Sequence, residues 1–411
     1  MNITKTPKRR TLRAVAALSA LSIVIAACGD DDDEPAEEST EETAAEPAEE
    51  PAAEPAEEPA EEPAEEPAEE PAEEPAEETV AEPAEEPAEE PADEPADEAA
   101  EPASDGDYDR TDWPDSLTYA IVPAENAENI SSYVTPDIIG DELGIEFEVV
   151  EAADYAGVIE GMIAERVDVG AFGAFSYVIA TGNGADIDLA GIWSGETPDT
   201  YGDYRSYLIV PVGSEIREPA DLAGKTVCFV DPGSTSGFLF PSAALLEVGL
   251  NPNEDSTDIN PVFAGGHDAS AIAVKNGDCD AGFAYDTMVT TQLVDSGDIA
   301  GVIDTAEDGA DDVNPDAAEL EIIWKSTAIA APPLGVGNWL PESLKTAITD
   351  VVTEKVNIDW AAENGYCEAA DESCELADGF FWGYLAEDDS YFDGIRELCE
   401  LTGSSKCNLD G

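Results

Sequence analysis

Three consecutive hydroxyl residues, Ser234, Thr235 and Ser236, stand at the junction between a strand and a helix that the sequence predicts. Residues 225–230 before them are apolar enough for a buried strand, and apolar residues recur at helical spacing over 238–250. The N-terminus of a helix offers backbone N–H groups without helical partners and a partial positive charge, which together favour an anion. Because a single hydroxyl suffices for an N-cap, the additional ones predict that this turn binds an anion.

A histidine and an aspartate are predicted at the same edge of the fold as this hydroxyl turn. His267, the only histidine of the chain, lies in the glycine-flanked loop 265–268 before another predicted helix, and Asp286 directly follows the predicted strand 281–285. Ligands of α/β sheets bind beyond the carboxyl ends of the strands. His267 and Asp286 are therefore candidate ligand-binding residues, with a structural or solvated histidine as the alternative.

The same residue types occur in hydrolytic triads, which makes an exported Ser-His-Asp hydrolase an alternative function. Threonine occupies the centre of the Gly233–Gly237 turn, where a nucleophile elbow has serine. The order Ser, His, Asp along the chain also differs from the order in α/β-hydrolases. Triads are defined by geometry, so this alternative stays open, although we predict a protein without catalytic residues.

Residues 1–27 are typical of a lipoprotein signal peptide. A basic start precedes an apolar stretch over 14–27, which is short for a membrane span. The junction Ile25-Ala26-Ala27-Cys28 resembles the lipobox of bacterial lipoproteins, and the resemblance implies cleavage before Cys28 and lipid on its sulfur. We therefore expect a lipid-anchored protein on the extracytoplasmic face of the cell membrane, with an ordinary signal peptide as the alternative.

Residues 28–107 consist almost entirely of Glu, Asp, Pro and Ala, with Pro-Ala-Glu-Glu as a repeat. Such a segment buries no core and its charges repel one another, so we expect a disordered, extended linker. It carries much of the formal net charge of −80. The chain has no basic patch, which argues against nucleic acid as a partner.

Seven cysteines occur in the chain, and six remain once Cys28 is assigned to lipidation. An even number of cysteines in an exported protein favours disulfides. Proximity along the sequence favours two pairs, Cys367 with Cys374 and Cys399 with Cys407, which leaves Cys228 with Cys279 by remainder. Other pairings stay open. The single histidine and the absence of a Cys-x-x-Cys motif argue against a metal site.

Short apolar runs alternate with helical patterns from residue 117 onward, which predicts an α/β fold. The chain is long enough for two lobes with separate cores. We expect lobe 1 to comprise residues 108–206 and 318–411 and lobe 2 to comprise 207–317, each with a mixed, mostly parallel sheet flanked by helices. Two such lobes in an exported, lipid-anchored chain indicate a receptor that binds a solute between them.

Six short motifs, in their order and spacing, resemble those of the phosphate/phosphite/phosphonate-binding proteins of ABC importers. They are Ala153-Asp154-Tyr155, Phe172-Gly173-Ala174-Phe175-Ser176-Tyr177, Tyr204-Arg205-Ser206, Asp221-Leu222-Ala223-Gly224-Lys225, the stretch Asp231 to Pro241, and Gly265-Gly266-His267-Asp268. The resemblance spans about residues 117–345. It implies the type II periplasmic-binding fold and delivery of the solute to an importer permease. We expect a monomer with neither a cofactor nor catalytic activity.

The resemblance also implies a set of ligand-binding residues, which are Ser234, Thr235, Ser236, His267, Asp286, Tyr155, Tyr204 and Tyr177. The hydroxyl turn and the histidine would bind the phosphonyl oxygens. Tyr155 and Tyr204 would close over the ligand from lobe 1. Asp286 falls where the family has an acidic residue at the site, and core packing is the alternative role for Tyr177.

The chemistry of these residues is consistent with a phosphorus oxyanion held by neutral donors. Asp286 would repel an anion unless the ligand brings a proton for the carboxylate to accept. Phosphate, phosphite and phosphonate do so, whereas sulfate at neutral pH does not. Segment 326–333 contains no carboxylate that could pair with the ammonium of an aminoalkylphosphonate. The alternative ligand is another oxyanion or a small organic nutrient of the thiamine or nitrate class.

Overall fold

Two six-stranded sheets with helices on their faces form the folded part of the protein, which a computed structural model describes for residues 108–123, 134–253, 256–306, 309–370, 374, 376 and 381–407. The strands are β1 (Ser116–Ile121), β2 (Glu146–Glu151), β3 (Val169–Ala171), β4 (Ile187–Trp193), β5 (Asp203–Tyr204), β6 (Ser206–Pro211), β7 (Thr226–Phe229), β8 (Asn260–Phe263), β9 (Ala281–Tyr285), β10 (Val302–Asp304), β11 (Leu320–Lys325), β12 (Ile329–Ala330), β13 (Pro333–Gly337) and β14 (Tyr384–Leu385). The α-helices are α1 (Val134–Leu143), α2 (Tyr155–Ile163), α3 (Ala174–Gly182), α4 (Phe240–Glu247), α5 (His267–Asn276), α6 (Leu293–Asp295), α7 (Glu342–Lys355), α8 (Ile358–Asn364) and α9 (Asp393–Thr402). A π-helical turn, Thr235–Leu239, precedes α4, and a 3-10 helix, Asp389–Phe392, precedes α9.

The first sheet has the strand order β14-β4-β13-β3-β1-β2, and the second has the order β10-β11-β6-β9-β7-β8. In the first sheet β1 pairs in parallel with β2 and β3, whereas β13 runs antiparallel to β3 and β4. In the second sheet β7 pairs in parallel with β8 and β9, whereas β6 runs antiparallel to β9 and β11. The predicted α/β class, with two mixed sheets flanked by helices, is confirmed.

Two segments connect the sheets, and both contribute to a small third sheet. The outward crossover, residues 194–205, leads from β4 to β6, and the return crossover, residues 326–332, leads from β11 to β13. Within these segments β5 pairs antiparallel with β12. The guanidinium of Arg205 donates a hydrogen bond to the carbonyl oxygen of Ser326 at 2.6 Å. The crossovers are therefore joined to each other by backbone and side-chain contacts.

Strand β11 lies in the second sheet, which therefore extends past the lobe boundary predicted after residue 317. Leu320 and Ile322 of this strand are fully buried. The strand pairs with β6 on one side and with β10 on the other. The apolar run that was predicted to return to lobe 1 instead completes the second sheet, because its backbone finds two partners there. The chain reaches the first sheet only at β13.

One hydrophobic core cluster continues across both lobes beneath α3, α4 and α9. Phe175 of α3, Leu245 of α4 and Ile395 of α9 belong to this cluster and are almost completely buried. Helix α9 contacts both α3 and α4. The C-terminal helix is thus shared between the lobes, whereas residues 318–411 were predicted to belong to lobe 1.

The structure joins six cysteines in three disulfides, Cys228–Cys279, Cys367–Cys374 and Cys399–Cys407. These are the two local pairs that proximity along the sequence favours and the pair that was left by remainder. Cys28, the predicted signal peptide and the predicted linker lie outside the described residues. Within the part of the chain that the structure describes, none of the helices combines the length and the apolar composition that crossing a bilayer requires.

Candidate anion-binding site

A cavity of about 1150 Å³ is lined by residues from both lobes and both crossovers. The helical segments that begin at this cavity include α2, α3, the π-helical turn before α4, and α5. The N-terminus of each brings partial positive charge and backbone N–H groups toward the same space. Among the described residues that line the cavity, none is Lys or Arg. Attraction for an anion would therefore have to come from oriented dipoles and neutral donors rather than from cationic side chains.

The hydroxyl turn, Ser234 to Ser236, is buried and lines the cavity. Ser234 is the N-cap of the π-helical turn, because its Oγ accepts a hydrogen bond from the N–H of Gly237 at 3.0 Å. Thr235 Oγ1 accepts a hydrogen bond from the N–H of Phe175 at 2.9 Å. Since both oxygens accept a backbone N–H, each hydroxyl keeps its own hydrogen to donate. The turn can therefore donate O–H groups to an anion.

The bond between Thr235 and Phe175 also joins the two lobes at the cavity. Phe175 lies in the first turn of α3, whose N-cap is Gly173. A Cβ at Gly173 would lie 3.2 Å from Thr235 Oγ1. Glycine at this position therefore allows the two helix starts to approach each other closely. The sequence motif around Gly173 indicated a first-lobe contact, but the donor that the structure reveals is a backbone N–H, which has no sequence signal.

His267, the first residue of α5, is buried beside the hydroxyl turn. Its Nδ1 accepts a hydrogen bond from the N–H of Tyr285 at 3.1 Å, and its Nε2 lies 3.4 Å from Ser234 Oγ. Because Nδ1 is an acceptor, the neutral ring carries its hydrogen on Nε2. Burial lowers the pKa of His267 to about 3. The imidazole is therefore a neutral N–H donor at physiological pH.

This tautomer argues against a hydrolytic triad. A catalytic histidine accepts the nucleophile's proton on one ring nitrogen and donates from the other to an orienting carboxylate. In this protein the nitrogen near Ser234 is the one that carries hydrogen, and the other nitrogen accepts from a backbone N–H. The arrangement of His267 and Ser234 can therefore bind an acceptor between them, whereas it leaves Ser234 without a general base.

We expect the imidazole of His267 to show no titration between about pH 5 and 8, the window in which an ordinary histidine changes charge. Protonation would place an N–H opposite the N–H of Tyr285 and a charge in a buried site. Since the chain has a single histidine, NMR of the imidazole in a protein without a histidine tag reports on this residue alone. A titration midpoint near pH 6.5, or a signal of the Nδ1–H tautomer, would contradict this assignment.

Asp286 lines the cavity at the end of β9 and also holds the backbone around it. Its Oδ2 accepts a hydrogen bond from the N–H of Arg205 at 2.9 Å, and its Oδ1 accepts one from the N–H of Thr287 at 2.9 Å. Burial raises the pKa of Asp286 to about 6, and the nearby charge of Asp311 adds to the effect. The carboxyl group of Asp286 therefore changes its protonation state near pH 6, close to neutral pH.

Tyr155 lines the cavity from the start of α2, and Tyr204 lines it from the outward crossover. The hydroxyl of Tyr155 lies near Ser234, and that of Tyr204 lies near Thr235 and Ser236. Burial raises the pKa of both phenols, that of Tyr204 to about 12. Both are therefore neutral hydroxyl groups that face the turn.

Tyr177 is the candidate residue that the structure does not bring to the cavity. Its side chain is buried within α3 and packs against Phe172 and Phe392. Its hydroxyl donates a hydrogen bond to Asp389 at 3.0 Å. Tyr177 therefore has the core-packing role that was the alternative.

Ser206 stabilises the hydroxyl turn through a hydrogen bond, and the sequence analysis did not identify this role. Its Oγ donates a hydrogen bond to the carbonyl oxygen of Ser236 at 2.6 Å. Ser206 is fully buried at the start of β6, directly after the outward crossover. Its position in the Tyr204-Arg205-Ser206 motif was the available signal. The turn is thereby coupled to the segment that connects the lobes.

Comparisons with known proteins point to one family. The family model described as "ABC transporter, phosphonate, periplasmic substrate-binding protein" matches residues 119–356. The "Phosphate-import protein PhnD" of Mycolicibacterium smegmatis is 38% identical over 302 residues, which cover 72% of this chain and 88% of that protein. The "Phosphonates-binding periplasmic protein" of Escherichia coli is 30% identical over 244 residues, covering 57% of this chain and 64% of that protein.

A solved structure supports the fold. PhnD1 from Prochlorococcus marinus, determined in complex with methylphosphonate, superposes with a TM-score of 0.56 at 16% identity, covering 71% of this chain and 99% of that chain. The family model spans more than half of the chain, and the match agrees with the resemblance seen in the sequence motifs. The chain belongs to the family of periplasmic substrate-binding proteins of phosphonate ABC transporters.

Proposed function

We propose that the protein binds a small phosphorus oxyanion, that is phosphate, phosphite or a phosphonate, in the cavity and delivers it to the permease of an ABC importer. The observation that carries this proposal is the set of neutral donors around one space. The hydroxyl turn and His267 Nε2–H converge where several helical segments begin, and the described lining includes no Lys or Arg. Neutral donors and helix dipoles suit an anion that is bound reversibly.

Asp286 narrows the ligand class. A carboxylate that lines an anion site is unfavourable unless the ligand or the carboxyl group carries a proton that the two can share. Monohydrogen phosphate and monoprotonated phosphonates carry such a proton, whereas sulfate at neutral pH does not. The names of the relatives include both phosphate and phosphonates, which supports the same ligand class. We infer that sulfate is rejected.

We also infer that the protein is a receptor and not an enzyme, because the His267 tautomer leaves Ser234 without a base. A thermal-shift screen run beside an ester-hydrolysis assay separates the two functions. At a ligand concentration 100 times Kd, the folded state gains about 2.7 kcal/mol. We expect stabilisation by at least one phosphorus oxyanion without turnover. Turnover of the ester that is lost in Ser234→Ala would favour the hydrolase instead.

The lipid anchor is a separate part of the proposal. Its support is the Ile25-Ala26-Ala27-Cys28 junction followed at once by an acidic segment rich in proline. We expect Cys28→Ala to release the protein from the membrane fraction, because the lipid would be attached through the sulfur of that residue. Fractionation of cells that express both forms is the measurement. Retention of Cys28→Ala in the membrane fraction would show that the apolar N-terminal stretch itself is the anchor.

A further inference from the structure

Tyr391 lies where the two crossovers meet. It belongs to the 3-10 helix Asp389–Phe392, far along the chain from either crossover. Its hydroxyl oxygen accepts a hydrogen bond from the N–H of Ala331, in the return crossover, at 3.1 Å. Its ring stacks on Tyr201, in the outward crossover, with ring centroids 5.7 Å apart and an interplanar angle of 27°. One side chain from the C-terminal segment therefore contacts both connections between the lobes.

The C-terminal segment that carries Tyr391 is itself attached to both lobes. Helix α9 follows directly and contacts α3 and α4. Ile395 and Cys399 of α9 are buried in the core cluster that includes Phe175 of α3 and Leu239 of the π-helical turn. The disulfide Cys399–Cys407 closes the end of the segment onto the same helix. Residues 389–407 therefore form a third connection between the lobes, in addition to the two crossovers.

A polar contact fixes the start of this third connection. Asp389 accepts a hydrogen bond from the hydroxyl of Tyr177 and pairs with Arg396 at 2.7 Å. The ion pair is largely exposed, so it contributes little by itself. The buried phenol of Tyr177 nevertheless orients the segment against α3. Tyr391 is thereby held beside the crossovers by groups on both of its sides along the chain.

We propose that Tyr391 is a positioning residue that ties the two crossovers to the C-terminal segment and so holds the lobes closed around the ligand. The inference rests on the proposed binding of a phosphorus oxyanion in the cavity. Two crossovers alone allow the lobes to rotate apart about the paired strands β5 and β12. A third connection that contacts both crossovers and both lobes opposes this rotation. Because the ligand dissociates from the opened form, the contacts of Tyr391 with the two crossovers should slow ligand dissociation.

Three variants test this positioning role of Tyr391. Tyr391→Phe keeps the ring stacked on Tyr201 but removes the acceptor for the N–H of Ala331, and Tyr391→Ala removes both contacts. The control is Tyr366→Phe, because Tyr366 stacks on Trp360 at 5.7 Å and 28° and donates to Asp141 at 3.0 Å, outside the crossovers. The control thus removes a tyrosine hydroxyl from a very similar setting that touches neither crossover.

Two measurements on the full-length protein are needed. Amide exchange at Ala331 without ligand should accelerate in Tyr391→Phe and not in Tyr366→Phe. Stopped-flow dissociation of methylphosphonate should be about 2- to 10-fold faster in Tyr391→Phe, as the loss of one hydrogen bond implies, and faster still in Tyr391→Ala. The association rate should rise as well, because ligand enters through the same opened form that it leaves, so the two rates should change more than the affinity does.

A Tyr391→Phe protein with a lower melting temperature but an unchanged dissociation rate would overturn the inference and leave Tyr391 a purely structural residue. Unchanged exchange at Ala331 would overturn it as well. If the wild-type protein bound no phosphorus ligand, the proposed function would fail. Amide exchange over residues 201–206 and 326–331 in Tyr391→Phe would then test the positioning role of Tyr391 by itself. Faster exchange than in the wild-type protein would support this role, and unchanged exchange would reject it.

Discussion

Simultaneous replacement of Ser234, Thr235 and Ser236 by alanine should weaken binding of phosphate and methylphosphonate by roughly 10³-fold or more, because a hydrogen bond to a charged group contributes about 1.5–3 kcal/mol and three are lost. The variant also loses the N-cap side chain of Ser234, which accepts from the N–H of Gly237, and the acceptor for the N–H of Phe175. Its free energy of unfolding should therefore fall, by about 1–2 kcal/mol for the cap alone. Calorimetry and thermal unfolding of the same samples measure both effects.

Ser242→Ala is the matched control for the hydroxyl turn. Ser242 lies on α4, is as buried as the turn residues, and its Oγ has no hydrogen-bond partner within the part of the chain that the structure describes. Removal of this hydroxyl should leave the affinity unchanged. Wild-type affinity in the triple variant, for every phosphorus ligand that the native protein binds, would contradict the proposed role of the turn.

Asp286→Asn should reduce discrimination between phosphorus oxyanions and sulfate. The carboxylate can share the proton of a protonated ligand and repels one that has none, whereas the amide offers N–H donors and carries no charge. We expect the ratio of sulfate affinity to methylphosphonate affinity to rise about tenfold or more, which corresponds to about 1.4 kcal/mol. Calorimetry of both ligands on both proteins at neutral pH gives the ratio.

Asp311→Asn is the control for charge alone. Asp311 also lines the cavity, but its carboxylate already accepts from Lys325 and Tyr207, each at 2.5 Å. Replacement of Asp311 should change the ratio of sulfate affinity to methylphosphonate affinity much less than Asp286→Asn does. If Asp286→Asn left the ratio unchanged, Asp286 would serve only to hold the N–H groups of Arg205 and Thr287.

The pH dependence of stability gives an independent check on Asp286. Burial raises its pKa to about 6, so between its ordinary pKa of about 4 and pH 6 the folded state binds a proton that the unfolded state has released. The carboxyl group therefore stabilises the ligand-free protein at low pH, and this contribution is lost as the pH rises through 6. Relative to Asp286→Asn, the wild-type protein should lose stability over this interval. The measurement is the free energy of unfolding of both proteins at pH 4 and pH 7.5. If the difference between the two proteins were the same at both pH values, the raised pKa would be contradicted.

Many strands and helices of the fold could be predicted from the sequence, because the sequence patterns that indicate them are local. Hydrophobic periodicity placed the strand before Ser234 and the helix after it, and strand ends placed His267 and Asp286 at one edge. Proximity also favoured the short-range disulfides. The structure brings the hydroxyl turn, His267 and Asp286 to a single cavity, as the strand-end argument led us to expect.

The features that sequence reasoning missed depend on partners that are distant in the chain. Thr235 bonds to a backbone N–H at Phe175, and a backbone donor leaves no trace in residue type. Tyr177 lies on the same helix as Phe175, but its side chain packs in the core against Phe172 and Phe392, and a motif does not show which of its side chains reaches the cavity. β11 joined the second sheet because its apolar run found two pairing partners there, and one sequence does not reveal which partners a strand selects.

The most direct test of the central claim is calorimetry of the wild-type protein with phosphate, phosphite, methylphosphonate, 2-aminoethylphosphonate and sulfate at neutral pH. We expect at least one of the phosphorus oxyanions to bind with a Kd of about 1 µM or tighter, which corresponds to about 8 kcal/mol of binding free energy. Sulfate should bind about tenfold more weakly or worse, because it brings no proton to Asp286. No heat of binding with any phosphorus ligand, or sulfate binding as tight as the tightest of them, would contradict the account.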